Sequence, residues 1–202
     1  MSRTDLPSAP ATARNRDPIL TALADELVAA RSVLEIGSGT GEHAVYFAPR
    51  LDWLEWQPSD RRGNLAGIRA WVEARPAPNL RPPIELDVNS PPEFEIGFDA
   101  VFSANTAHIM GPPEVERMFA LIGRVLKAGG RFCLYGPFNR DGRFTSESNA
   151  RFDASLRAQD PRMGIRDLSD LDSIAEQHDL RRVRLHTMPA NNFLAVWQMV
   201  DH

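Results

Sequence analysis

Short apolar runs alternate along the chain with segments where apolar residues return at helical spacing, which predicts strands alternating with helices. Asp17-Pro18 is an N-cap followed by proline at the first helical position, and Ile19, Leu20, Leu23 and Leu27 then extend a helix to about Ala30. Val33 to Ile36 reads as the first buried strand. A helix from Glu42 to Ala48 stops at Pro49. Trp53 to Gln57 is the second strand and closes on Pro58-Ser59-Asp60, and Leu65, Ile68, Trp71 and Val72 mark one face of the next helix. Ile84 to Leu86 delivers Asp87-Val88-Asn89, and Phe98 to Ala104 runs into Asn105-Thr106-Ala107-His108. Pro112 opens a helix with Val115, Met118, Phe119, Ile122 and Val125 inward, before a fifth strand from Arg131 to Tyr135.

The pattern then changes. Residues 140–166 are polar and carry one helix, about Ser148 to Gln159, with Phe152 and Leu156 inward. A connection of that length predicts a substrate cap. A helix from Asp167 to His178 and two strands, Val183 to Thr187 and Phe193 to Val200, finish the chain. Met188 to Asn192, between those strands, is too short for a crossover helix, so they pair as an antiparallel hairpin. The fold class is α/β: a Rossmann-like, doubly wound, seven-stranded and mostly parallel sheet with a C-terminal antiparallel β-hairpin. Residues 1–13 read as a flexible tail, 14–202 as a single domain and 140–166 as its insert. In such sheets ligands sit beyond the carboxyl ends of the strands.

Composition narrows the partners. A net charge of −4 over 202 residues argues against a nucleic-acid partner, and Arg181-Arg182-Val183-Arg184 reads as a solvated face flanking a strand. The single Cys133 rules out an intrachain disulfide. No apolar run reaches membrane length and no signal core opens the chain, which predicts a cytoplasmic protein. No His/Cys/Asp/Glu cluster has metal-ligand spacing, so no metal is expected.

The candidate chemistry centres on Val33-Leu34-Glu35-Ile36-Gly37-Ser38-Gly39-Thr40-Gly41-Glu42-His43. Strand, glycine turn and helix start form a ligand-facing loop. A dinucleotide fingerprint needs its third glycine at position 42, where this chain has Glu42, and no Gly-Lys-Ser/Thr follows for a P-loop. The order Glu-x-Gly-x-Gly-x-Gly, with Asp60 about 20 residues on and Asp87 after the third strand, resembles the class I S-adenosylmethionine methyltransferases.

More narrowly, six stretches resemble the family of the human methyltransferase-like protein twenty-six, catalogued as a domain of unknown function and assigned as methyltransferase by fold. They are Arg14-Asn15-Arg16-Asp17-Pro18-Ile19-Leu20, Leu34 to Gly41, Trp56-Gln57-Pro58-Ser59-Asp60, Tyr135-Gly136-Pro137-Phe138, Gly164-Ile165-Arg166-Asp167 and Met188-Pro189-Ala190-Asn191-Asn192.

The resemblance implies S-adenosylmethionine as cofactor and roles for particular residues. Gly37, Ser38, Gly39 and Gly41 pass the methionine part, and Glu35 holds the loop or the ammonium group. Asp60 takes the ribose hydroxyls, Asp87 the adenine amino group and Val88 N–H a ring nitrogen. Asn105 lies nearest the methyl group, and Arg14-Asn15 closes over the cofactor. Strand four lacks the Asn/Asp-Pro-Pro-Tyr/Phe signature, which argues against DNA adenine or glutamine methylation.

His108, just past a strand end, is either the base or a loop-orienting residue. Tyr135 either donates to the acceptor or finishes its strand. His43 reads as a cap or packing residue. Asn139, Ser148, Asn149, Asn191 and Asn192 are placed on the acceptor pocket because their loops face the same end of the sheet; Asn191-Asn192 equally suits turn geometry. The reading is a methyltransferase acting on a small molecule, with acceptor and oligomeric state undefined. The alternatives are a non-catalytic S-adenosylmethionine-binding module acting through a partner and an NAD-linked oxidoreductase, against which Glu42 counts.

Overall fold

The computed structural model describes residues 6–200; residues 1–5 of the expected tail lie outside them. The strands are β1 (Ser32–Ile36), β2 (Glu55–Asp60), β3 (Ile84–Glu85), β4 (Phe98–Ala104), β5 (Leu126–Gly136), β6 (Phe138–Asn139), β7 (Arg166–Asp167), β8 (Leu180–Met188) and β9 (Asn192–Met199). The helices are α1 (Pro10–Glu26), α2 (Glu42–Phe47), α3 (Leu65–Ala74), α4 (Pro112–Val125), α5 (Glu147–Gln159) and α6 (Leu168–Glu176). Seven strands make one sheet in the order β3-β2-β1-β4-β5-β9-β8. It is parallel except for β9, which runs antiparallel to both β5 and β8. The expected doubly wound sheet with a terminal hairpin is what forms. Strand order reverses between β1 and β4 (Val33↔Ala100, Glu35↔Phe102), the switch point where ligands bind in such sheets.

Strand alternation builds two apolar layers. Val33, Ala100, Phe102, Cys133, Tyr135, Leu194 and Val196 face one layer, with Ile19, Leu23 and Leu27 of α1 and Phe47 of α2. Leu34, Val101, Phe132, Leu134, Ala195 and Trp197 face the other, with Met118, Phe119 and Ile122 of α4 and Leu171 of α6. Cys133 is buried and free. Among the described residues, no helix is long and apolar enough to cross a membrane. The arginine run lies on β8, where Arg182 pairs with Asp172 and Arg184 with Glu26.

Several boundaries differ from the sequence reading, among them a fifth strand that starts at Leu126 and a β8 that starts at Leu180, and three of them have an identifiable physical cause. α1 starts at Pro10, not at Asp17-Pro18, so residues 10–13 leave the tail for the helix. Its N-terminus is capped from another element: the Ala9 N–H donates to Glu42 Oε2 at 2.6 Å, an anion at a helix start. β2 runs through Pro58. That residue falls between the isolated Trp56–Leu80 bridge and the first β2–β3 pair, Ser59↔Ile84, where this ladder is interrupted and a missing N–H costs little. α5 begins at Glu147 because Ser146 Oγ accepts the Asn149 N–H at 3.1 Å. The segment between β5 and α6 leaves and returns through a clasp, the parallel pair β6–β7 (Phe138↔Arg166, Asn139↔Asp167).

Candidate functional site

A cleft of about 620 Å³ opens at the carboxyl ends of β1 to β4, a size suited to a small ligand. Its first half is the glycine loop. Gly37, Gly39 and Gly41 all have positive φ. A Cβ on Gly37 would stand 2.5 Å from Thr106 Cγ2, and one on Gly41 would stand 3.0 Å from Ile68 Cα. Above Gly39 a Cβ would meet no atom of the described residues within 4 Å, so this is where the loop leaves room. The loop is laced to the end of β2. Gly37 N and Ser38 N both donate to Ser59 O at 3.0 Å, and Ser59 N donates to Ser38 Oγ at 3.1 Å. Gly39 N donates to Asp60 Oδ2 at 2.7 Å. Asp60 Oδ1 accepts from Arg61 N and Asn64 Nδ2. Asp60 is therefore first an anchor of the loop, and it also lines the cleft, with Oδ2 keeping room for one further donor.

Glu35 supports the loop from beneath. Strand parity turns it into the α1/α2 layer, where Trp56 Nε1 donates to Glu35 Oε2 at 2.9 Å. Burial pushes its carboxyl up to about 7, assisted by the charge of Asp60 and opposed by the hydrogen bonds from Trp56 and Ser38. After β3, Asp87 lines the cleft, and its Oδ1 accepts from Asn89 N and Nδ2. Val88 and Asn105 line it too. Asn105 adopts φ +59°, a left-handed turn that asparagine tolerates, and its N–H is held by Tyr135 O.

Glu42, which counted against a dinucleotide, does not line the cleft. It accepts from Ala9 N, Ser8 Oγ and Thr40 Oγ1. This seats the N-terminal segment so that Ala9, Ala11 and Thr12 form a cleft wall.

That wall was expected from Arg14 and Asn15, and neither residue is on it. Arg14 is exposed. Asn15 is buried within α1 and its Oδ1 lies 2.9 Å from His43 Nε2. It also bonds Tyr135. The same stretch puts Arg16 over the Tyr46 ring and bonds Tyr46 Oη to Asp17, so it fastens α1 to α2. Tyr135 belongs to that buried face rather than to the cleft; burial raises its pKa. His43 is the packing residue it was read to be, stacked on Phe47 with ring centroids 5.1 Å apart, and it also reaches the cleft lining. Burial, then the charge of Arg16, lowers its pKa to about 4.

The second half of the cleft lies beyond Asn105. His108 lines it, edge-on to Phe152 at 5.3 Å. Burial, and after it the charge of Arg166, lowers its pKa to about 4. The imidazole is neutral at physiological pH and can accept a hydrogen bond, while its low basicity makes it a weak proton acceptor. Ile109, Met110, Phe152 and Met163 add apolar surface, and Glu114, Asp160 and Arg162 a charged rim. Among the described residues Glu114 Oε2 is buried without a hydrogen-bond partner, so it is free to accept from a ligand donor. Phe152, read as a core residue, is 40% exposed and part of this wall. Its signal was being the lone large aromatic on an otherwise polar helix.

The five polar residues placed on the acceptor pocket do not line it. Asn149 Nδ2 donates to Thr145 Oγ1 and Asn191 O, and Asn191 Nδ2 to Ser148 Oγ. These side chains staple α5 to the β8–β9 turn. Asn192 bonds Pro189 O and Ala190 O within its own turn. Asn139 sits in the β6–β7 clasp.

The fold recurs in solved structures. "PigF with SAH" is 16% identical over 90% of this chain and 54% of that one, with a TM-score of 0.75. Human N-acetylserotonin methyltransferase in complex with SAM is 13% identical over 95% and 53%, at 0.78. An O-methyltransferase family protein from Burkholderia thailandensis is 16% identical over 92% and 60%, at 0.75. The likeness is one of fold, and the chain spans little more than half the length of these structures. The class is thus a Rossmann-like α/β fold, shared with the methyltransferase structures just named. Within it, residues 6–199 match the family described as "Protein of unknown function (DUF938)", and the chain belongs to that family.

Proposed function

We propose that the protein is an S-adenosylmethionine-dependent methyltransferase acting on a small molecule. The observation that carries this is the cleft itself: a positive-φ glycine loop anchored by Asp60, with Asp87 beside it and open space above Gly39. The solved structures with SAH and with SAM share this fold, and the six sequence stretches support placing it beside the methyltransferase-like protein twenty-six family. Gly37, Ser38, Gly39 and Gly41 would pass the methionine part, Asp60 the ribose, Asp87 and Val88 the adenine, and Asn105 would lie nearest the transferred group. We read the chain from α1 onward as one domain, its start moved from residue 14 to Pro10, its insert 140–166 as the acceptor cap, and the protein as cytoplasmic.

When bound, the cofactor supplies an electrophilic methyl group on a sulfonium. The protein's own task is alignment and exclusion of water, since the leaving group is already good. Ile109, Phe152 and Met163 shield the acceptor side, and neutral His108 orients an acceptor donor group. With Tyr135 buried elsewhere and His108 weakly basic, this site suits an acceptor that needs little help in losing a proton.

Isothermal titration with S-adenosylhomocysteine tests the cofactor. Saturable one-site binding is expected; no heat up to millimolar ligand overturns the reading. Label transfer from methyl-labelled S-adenosylmethionine into fractionated small-molecule extract then tests catalysis.

A further inference from the structure

The stretch Gly164-Ile165-Arg166-Asp167 does not line the cleft, yet Gly164 and Arg166 reach the loop after β4 while Ile165 and Asp167 tie the insert together. Gly164 N donates to His108 O at 2.9 Å. Ile165 N donates to Asp153 Oδ1 at 2.8 Å. Asp167 caps α6 through Ser169 N and accepts Gly142 N at the start of the insert. Arg166 does the most. Its Nε donates to Ala107 O at 3.1 Å, its Nη2 to Met110 O, and the same Nη2 to Arg162 O at 2.8 Å. Two of those carbonyls flank His108 in the loop after β4. The third belongs to the insert, one residue before Met163 of the cleft wall.

We propose that Arg166 is the positioning residue of the acceptor half, its planar guanidinium fastening the His108 loop to the insert so that His108 and Phe152 meet at the cleft. The inference rests on the methyltransferase reading for its purpose, but not for its geometry. A fork of N–H donors fixed in one plane can bridge carbonyls on two segments. An ammonium carries the same charge without that shape. The half-buried guanidinium meets backbone oxygens here, where removing it leaves several carbonyls without donors. Ring contact between His108 and Phe152 at 5.3 Å and 73° is the consequence that can be observed.

The test uses the full chain. The His108 ring-proton resonance is assigned by its absence in His108→Gln, and Phe152→Leu calibrates the displacement caused by the Phe152 ring. Arg166→Lys and Arg166→Met are then compared with wild type. Loss of more than half of that displacement in both variants is expected. Wild-type displacement in both overturns the proposal, as does its retention in Arg166→Lys alone, which would show that charge suffices. If Arg166→Met fails to fold, Arg166→Lys decides. The dissociation constant for S-adenosylhomocysteine is expected to stay within a factor of about three of wild type in Arg166→Lys. If wild type binds no S-adenosylhomocysteine, the methyltransferase reading fails while the ring-proton result still judges the clamp.

Discussion

Around the glycine loop, Gly37, Ser38 and Gly39 are tied by their own N–H groups to Ser59 and Asp60, so the surface offered to a ligand is mostly main chain. Across the cleft, Ile109, Phe152, Met163 and Arg162 offer side chains, carried on segments that Arg166 and Asp153 hold together. At Gly37 and Gly41 the glycine-loop half leaves too little room for a Cβ, and so demands particular residues at particular spacings. A side-chain surface needs only a rigid support, and its chemistry can vary. The halves touch at one seam, where Gly37 lies under Thr106, and Ser103 Oγ bonds both Ile36 O and Thr106 Oγ1.

The largest effect is expected at that seam. Gly37→Ala adds a left-handed alanine and a clash with Thr106, which together should cost about 4 kcal/mol of stability by urea denaturation. Thr106→Ser in the same chain removes the methyl group in contact and should recover the packing part, not the backbone part. Full recovery would show that the seam, rather than backbone conformation, makes the demand.

Next comes Glu35. Its folded pKa of about 7 lies above the ordinary 4.5, so the folded state holds a proton that the unfolded chain has released. Its stabilising contribution is complete below pH 4.5 and is lost as pH rises to about 7, about 3 kcal/mol in all. His43 and His108 act in the opposite sense. Their pKa values fall from 6.5 to about 4, so their contribution is present above pH 6.5 and is lost on acidification. The difference in unfolding free energy between wild type and Glu35→Gln, followed from pH 4.5 to 8, isolates the carboxyl. A flat difference would place the buried proton elsewhere.

Asp60→Asn sharpens the contrast in binding. It should weaken S-adenosylhomocysteine by about 2 kcal/mol, roughly thirtyfold, by calorimetry. Phe152→Leu should leave that affinity within about threefold. Equal losses would mean that the cleft does not divide as described. The smallest effect belongs to Glu42→Gln, which weakens the cap on α1. About 1 kcal/mol is expected, read as faster hydrogen exchange at the Thr12 amide.

The same division explains what could be read from the chain. Glycine spacing, Asp60, Asp87 and the order of elements are demands of backbone geometry, and they stand in the sequence as letters. Tyr135 was legible as a strand residue but not as a buried one, because its side depends on the parity of β5 and on Asn15 coming from α1. The start of α1 was hidden because its cap, Glu42, comes from another helix. Asn149 and Asn191 looked like ligand-facing amides and instead satisfy each other's neighbours, a pairing that exists only once α5 meets the β8–β9 turn. Arg162 gave no signal that separates a wall from a surface, and Phe152 gave only that of a lone aromatic on a polar helix.

The clasp of β6 and β7 has a practical consequence. Because Phe138↔Arg166 and Asn139↔Asp167 sit side by side, the segment between them departs and returns at one point on the scaffold. It is thus a natural cassette: loop closure is already provided by the clasp, so replacement segments of different length incur little extra chain entropy. A library exchanged between residues 140 and 165 would diversify what is recognised, with the sheet and glycine loop serving as an unchanged chassis.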